Sequence, residues 1–406
     1  MNRRTLTKGL TALSIAMALG AGVALPASAG TDKTSGVVYV ESNAASDNAI
    51  LAYRRSPQGD LTPLPGSPFA TGGKGVFDLS LDLGPFDSDQ LITTNADKTL
   101  LFAVNAGSNT IAVFRIHADG SLAAVAGSPF PSGGINPVSV GVARDTLVVV
   151  NKAMDPRQSA TSLPNYTSFH FAPDGRIDPV PLSTVTVGPT NSPSQALISA
   201  NQRLVFGADF FGGLLQSFQI GQTGSLAQNA PQALPATAFE GSPAPRLPLG
   251  LTAHPNRPVV YVGLVTVNKI AVYSHDNFGV LSFVRTVDDS GSAPCWLRTN
   301  ADGSRLYVSN TGDSSITVYD TTDPLAPKEI QKLTLKGEGS PFQIEFDPRG
   351  NYLYVVNQRA IASTPIGQGN TLHTLRVNAN GHLTEPGSPT VLDLPLGTRP
   401  QGLATF

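Results

Sequence analysis

LYVSN (Leu306–Asn310), followed after a short turn by ITVY (Ile316–Tyr319), is one copy of a phrase that returns along the whole chain. LFAVN (Leu101–Asn105) with IAVF (Ile111–Phe114) is a second clear copy, and VYVGL (Val260–Leu264) with IAVY (Ile270–Tyr273) a third. LVVVN (Leu147–Asn151) and LYVVN (Leu353–Asn357) repeat its first half. VYVES (Val38–Ser42) with AILAY (Ala49–Tyr53) and LVFGA (Leu204–Ala208) with LLQSF (Leu214–Phe218) are weaker versions. The fifth residues fall at 42, 105, 151, 208, 264, 310 and 357, with 46 to 63 residues between them. A period of that length built from strands alone means radial blades or a solenoid.

The copy around LYVSN reads strand by strand. CWLRTN (Cys295–Asn300) is a first strand, and ADGSR (Ala301–Arg305) is a turn with an Asp-Gly hairpin signal. LYVSN is the second strand, ITVYD the third, and KEIQKLTL (Lys328–Leu335) the fourth. Runs apolar on both faces suit a small sheet packed between two neighbours. Val37–Glu41 is a second-type strand with no first-type strand before it, whereas RPQGLATF (Arg399–Phe406) starts a blade that never continues. The expectation is an all-β, seven-bladed propeller of four-stranded antiparallel blades. Gln401–Phe406 is expected to supply the innermost strand of the N-terminal blade, which removes two open sheet edges. Gly66–Pro68, Gly127–Pro129 and Gly387–Pro389 repeat Gly-Ser-Pro, read as turn punctuation on outer edges because Pro cannot donate to a ladder.

Arg3, Arg4 and Lys8 precede an apolar run from about Leu10 to Leu25, and Ala27–Ala29 is a small-residue cleavage pattern. Residues 1–29 are expected to be a signal peptide, of plain or twin-arginine type, and 30–406 a single propeller domain that is secreted or periplasmic. Removing three positive charges takes the net charge from −2 to −5, which argues against a nucleic-acid partner. No apolar run in the mature part approaches the length of a membrane span. The one cysteine, Cys295, excludes an internal disulfide and is read as a buried core thiol.

NADKTLLFAVNAGSNTIAVFRIHADGSL (Asn95–Leu122), CWLRTNADGSRLYVSNTGDSSITVY (Cys295–Tyr319) and FDPRGNYLYVVNQ (Phe346–Gln358) resemble the seven-bladed lactonase family of 6-phosphogluconolactonase and carboxymuconate-cyclase type propellers, related to Tyr-Val-Thr-Asn repeat proteins. The resemblance implies a channel site acting on a small lactone, without a cofactor. The residues departing from the family are the functional ones. Ser192–Ala196 stands where the family carries Pro-His-x-His, and Gly263–Leu264 follows the retained His254–Pro255 where Asn-Glu is expected. Pro341–Phe342 replaces Pro-Arg, although Asn357–Gln358 matches.

Alignment of the blades places Arg298 and Glu345 at one relative position on innermost strands facing the channel. Lactone hydrolysis needs a base for water and a donor for the developing oxyanion. Glu345 is the candidate base and Arg298 the candidate electrophile, against the alternative of a structural ion pair. Gln343, Gln195, Gln401, Arg399 and His254 are the candidate ligand-binding residues. His254 reads equally as a turn-packing residue, and His117, His170 and His382 as solvent-facing. No metal-ligand spacing appears. The alternative to a hydrolase is a non-catalytic propeller binding a small molecule, a protein or an envelope component, with Met154–Asn165 and Pro231–Arg246 as loops shaping its face. A redox propeller ranks last.

Overall fold

In the computed structural model, residues 36–76, 88–153, 162–337, 339–358, 370–394 and 398–406 are described. The expected signal peptide, and 154–161 of the expected binding loop, lie outside them. The described strands form seven antiparallel sheets, each ordered first to fourth strand outward from an innermost strand. Blade 6 runs Pro294–Thr299, Arg305–Asn310, Ser315–Asp320 and Lys328–Thr334, within a residue or two of the sequence reading. Asn165, expected in a loop, instead opens a third strand, Asn165–Phe171. Within Pro231–Arg246 the chain makes a short 3-10 turn, Ala236–Phe239.

The ring closes as expected. Leu403–Thr405 pairs antiparallel with Val37–Glu41, with Val38 opposite Thr405 and Val40 opposite Leu403. Val37 and Phe406 exchange two backbone bonds of 2.8 Å, and Gln401 N donates to Glu41 O at 3.0 Å.

Five blades depart from a simple four-strand count: their outermost strand is broken into two short pieces that both pair with the third strand. In blade 1 the pieces are Leu61–Pro63 and Phe69–Ala70, and Gly66–Pro68 is the break. Gly-Ser-Pro does more there than mark a turn. Where the ladder is interrupted, the Ser67 hydroxyl accepts from Ala52 N and the Ser128 hydroxyl from Val113 N, each at 2.9 Å. A serine thus satisfies the third-strand N–H that a proline-broken neighbour leaves open.

Two residues of the repeated phrase have definite work. Where the phrase carries a tyrosine, it rivets one blade to the next: Tyr39 donates to Gly120 O, Tyr261 to Pro324 O and Tyr307 to Gly381 O, at 2.7–2.9 Å. The fourth, Tyr354 of blade 7, accepts from Arg55 Nε of blade 1 at 2.9 Å, carrying the pattern across the closure. The terminal asparagine is buried and braces the chain entering its own blade. Asn310 Nδ2 donates to Ser315 and Thr317, and a Cβ placed on Gly291 would run into the Asn310 side chain. The same close approach joins Gly134 to Asn151. Between blades the cores are apolar, as where Trp296 stacks on Phe342 at 4.3 Å between centroids, with Cys295 buried in the same cluster.

Candidate functional site

The axis of the ring is not open space. Ser88-Asp89-Gln90, the stretch entering the first strand of blade 2 (Ile92–Thr94), binds the innermost strands of other blades, with Ser88 and Asp89 fully buried. Ser88 O accepts from Trp296 Nε1 at 2.8 Å, Gln343 Nε2 at 2.9 Å and Gln401 Nε2 at 3.1 Å, donors from blades 6, 7 and 1. Asp89 N donates to Ser194 O of blade 4 at 2.9 Å, and Val140 of blade 3 exchanges bonds with Gln90 at 2.8 and 2.9 Å. Three consecutive residues therefore stitch five blades together along the axis.

This plug accounts for most of the aligned polar residues. Gln343 spends its other amide atom on Gly402 N at 2.9 Å, closing blade 7 against blade 1. Gln195 makes a two-way bridge with Leu251, Nε2 to O at 3.0 Å and N to Oε1 at 2.7 Å. Gln195, Gln343 and Gln401 are all buried; the first two bond backbone groups, and Gln401 Nε2 also donates to the Ser88 hydroxyl at 3.1 Å, partners of the kind that buried amides require. Arg399 is buried, in the stretch before the closing strand, and its carbonyl accepts from Asn43 at 3.4 Å.

Arg298 and Glu345 do come together. Arg298 forks onto Asp89, Nη1 to Oδ2 at 3.2 Å and Nη2 to Oδ1 at 3.4 Å, while its Nε donates to Glu345 Oε2 at 3.3 Å. Burial opposes the guanidinium charge, but Asp89 and then Glu345 more than offset it, and the Arg298 pKa lies above its ordinary value. Burial also pushes the Asp89 carboxyl up, against the pull of Arg298. The two acids are not equivalent, because the Asp89 side chain is 0 % exposed and that of Glu345 30 %. The second Glu345 oxygen accepts from Phe346 N at 3.0 Å.

Glu345 and Arg298 line a pocket of about 180 Å³, with Gln90, Thr93, Thr94, Lys98 and the closing strand Leu403–Thr405. Lys98 reaches across it to donate to Thr405 O at 2.8 Å. Burial lowers the Lys98 pKa, and the charge of Glu345 works in the opposite direction. Asp89 and Lys98 are the members of this cluster that sequence reasoning missed. Lys98 was within reach of the repeat alignment, since NADK (Asn95–Lys98) stands where blade 6 has NADG (Asn300–Gly303). Asp89 precedes the first strand of its blade, outside any repeated phrase.

His254 lies elsewhere. It is buried just after Pro248–Ala253, packs against the Gly303 turn, and lines a separate cleft with Arg257 and His275. Its Nδ1 accepts from Asn256 N at 3.1 Å, and burial lowers its pKa. Of the three histidines read as solvent-facing, His117 is exposed, and His170 and His382 are half-buried. Among the described residues, no group of three or more His, Cys, Asp or Glu is placed to hold a metal ion, and no helix is long and apolar enough to cross a membrane.

Pro294 pairs with Asn310 and Pro341 with Asn357, so innermost strands begin at the mouth where second strands end. The family's motif positions, at Ser192–Ala196, Leu264, Pro341–Phe342 and Asn357–Gln358, sit at that mouth. Arg298 and Glu345 sit near the finishing ends of their strands, so their pocket opens at the opposite mouth.

Comparison with known proteins agrees with the architecture. No curated protein matches the sequence. Among solved structures, a candidate 6-phosphogluconolactonase of Bacteroides uniformis superposes with a TM-score of 0.69 at 16% identity, over 92% of this chain and 99% of that one. The periplasmic gluconolactonase of Pseudomonas aeruginosa gives 0.63 at 17% identity, over 91% and 99%. At these identities the likeness is one of fold. Residues 250–386 match the family described as lactonase, 7-bladed beta-propeller, so the resemblance read from the sequence holds for blades 5 to 7 of a seven-bladed lactonase-like propeller.

Proposed function

We propose that the protein is an exported hydrolase of small lactones or related esters, acting at the pocket lined by Glu345, Arg298 and Lys98. The placement of Glu345 carries this reading. Its carboxylate is held by Arg298 on one oxygen and by Phe346 N on the other, yet it remains partly exposed beside an amine in a pocket of about 180 Å³. Glu345 takes a proton from water as the oxygen adds to the lactone carbonyl, and a Lys98 N–H faces the developing oxyanion. The ring C–O bond then breaks, and the proton on Glu345 passes to the leaving alkoxide, giving a hydroxy acid. Arg298, whose nitrogens are committed to Asp89 and Glu345, positions the base rather than touching substrate. Export rests on the basic and apolar leader ending at Ala27–Ala29.

A binding propeller is the second reading, favoured by Ser194 and Ala196 standing at the family's histidine positions. The test is pH-stat hydrolysis of a panel of five- and six-membered lactones by the protein and by Glu345→Gln, whose amide oxygen can still accept from Phe346 N. Turnover above the uncatalysed rate that falls at least about 100-fold in the variant supports the hydrolase. A folded protein without turnover favours the binding propeller.

A further inference from the structure

Lys98 occupies a backbone position that a lysine fills at a cost. Its φ is +56°, in the left-handed region, and its N donates to Asn95 O at 3.0 Å to close the turn between the first two strands. The corresponding turns of blades 6 and 7 place Gly303 and Gly350 there, at φ +76° and +71°. A non-glycine residue is disfavoured in this conformation, because its Cβ crowds the backbone. Blade 4 also has a side chain at this point, Gln202, and uses it structurally, since its Oε1 accepts from Arg144 N at 2.8 Å. Lys98 instead sends its amine over the channel mouth to a single backbone acceptor, Thr405 O.

We propose that Lys98 is a carbonyl-capturing amine that forms an imine with small polar aldehydes or ketones entering the pocket beside Glu345. The surroundings meet the needs of that chemistry. A neutral amine can donate one N–H to Thr405 O and still present its lone pair to the cavity. Attack forms the Nζ–C bond as the C=O π bond opens, and one proton passes from the nitrogen to the oxygen, giving a carbinolamine. Glu345, which lines the same pocket, carries the second proton of the nitrogen to this hydroxyl, which departs as water and leaves the C=N bond. Partial burial disfavours the ammonium form and supports the nucleophilic one. A pocket of about 180 Å³ has room for a small carbonyl compound beside the amine. This capture does not depend on the hydrolase reading, because it involves no lactone.

The test is trapping. The full protein is incubated with glycolaldehyde and cyanoborohydride between pH 6 and 8, and peptide mass spectrometry maps the reduced adducts. Lys98 is expected to be modified at least tenfold faster at pH 7 than the exposed Lys74, Lys328 and Lys336 of the same sample. Lys98→Arg, which keeps a cation but has no amine nucleophile, is expected to lose the fast phase. Modification of Lys98 at or below the rate of those surface lysines overturns the proposal. The ratio is read within one sample of the unaltered protein, so the outcome does not depend on how the variant folds.

Discussion

Trp296 Nε1 donates to the carbonyl of Ser88 at 2.8 Å, although 208 residues separate them in sequence. The bond places the widest side chain of blade 6 against the segment entering blade 2, and Gln343 and Gln401 converge on the same oxygen. Much of the interior of this ring is thus held by side chains bonded to backbone groups of one segment.

Gln343 tests that role. Gln343→Leu leaves Gly402 N–H buried without its acceptor and is expected to cost about 1–3 kcal/mol of stability. The folded fraction should keep the wild-type KM for any lactone turned over. Urea unfolding and initial-rate kinetics on one preparation check both, and a raised KM would return Gln343 to the ligand.

Arg298 and Asp89 form a buried ion pair at the axis. Arg298→Met strands the Asp89 charge and should destabilise by about 3–5 kcal/mol, while Arg298→Met with Asp89→Asn should recover most of the loss. Denaturant unfolding of the single and double variants measures the coupling.

Asp289 should make stability pH-dependent. Burial raises its pKa to about 6, even though Thr317 and Gly291 N donate to it at 2.8 and 2.7 Å. A carboxyl with a raised folded-state pKa favours the fold fully below its unfolded value, and that contribution is lost as pH rises through about 6. Two pKa units correspond to about 3 kcal/mol. Asp289→Asn should therefore raise Tm at pH 7.5 and change it little at pH 4, as thermal melts at the two values would show.

Gly291→Ala sets a methyl group into the Asn310 side chain and should destabilise by about 1–3 kcal/mol. Adding Asn310→Ala opens the space, so the double variant should be less damaged than the sum of the singles. Additive losses would mean that Asn310 does not brace this turn.

Legibility divided along physical lines. Leu306–Asn310 and Ile316–Tyr319 declared their strands because a sheet buried on both faces writes continuous apolar runs. The closing strand showed itself through a blade that began at Arg399 without continuing. Arg298 and Glu345 met because repeat register fixes relative height on neighbouring strands. Register could not reveal what fills the axis. Gln195, Gln343 and Gln401 aligned as channel residues, and their partners are mostly backbone groups of Leu251, Ser88 and Gly402, which have no side-chain signature. Asp89 lay in the longest interval between copies, where no repeat assigns a position. Lys98 was visible as a lysine in a glycine's place, yet the direction of its side chain depends on the closing strand.

The pairing of Val38 with Thr405 also imposes an order of events. Blades 2 to 7 draw their strands from contiguous sequence and are able to form as the chain emerges, but blade 1 lacks its inner strand until residue 405 is synthesised. The ring is therefore an assembly with a fixed order: its last joint waits for Leu403–Thr405, however early the other six blades have formed.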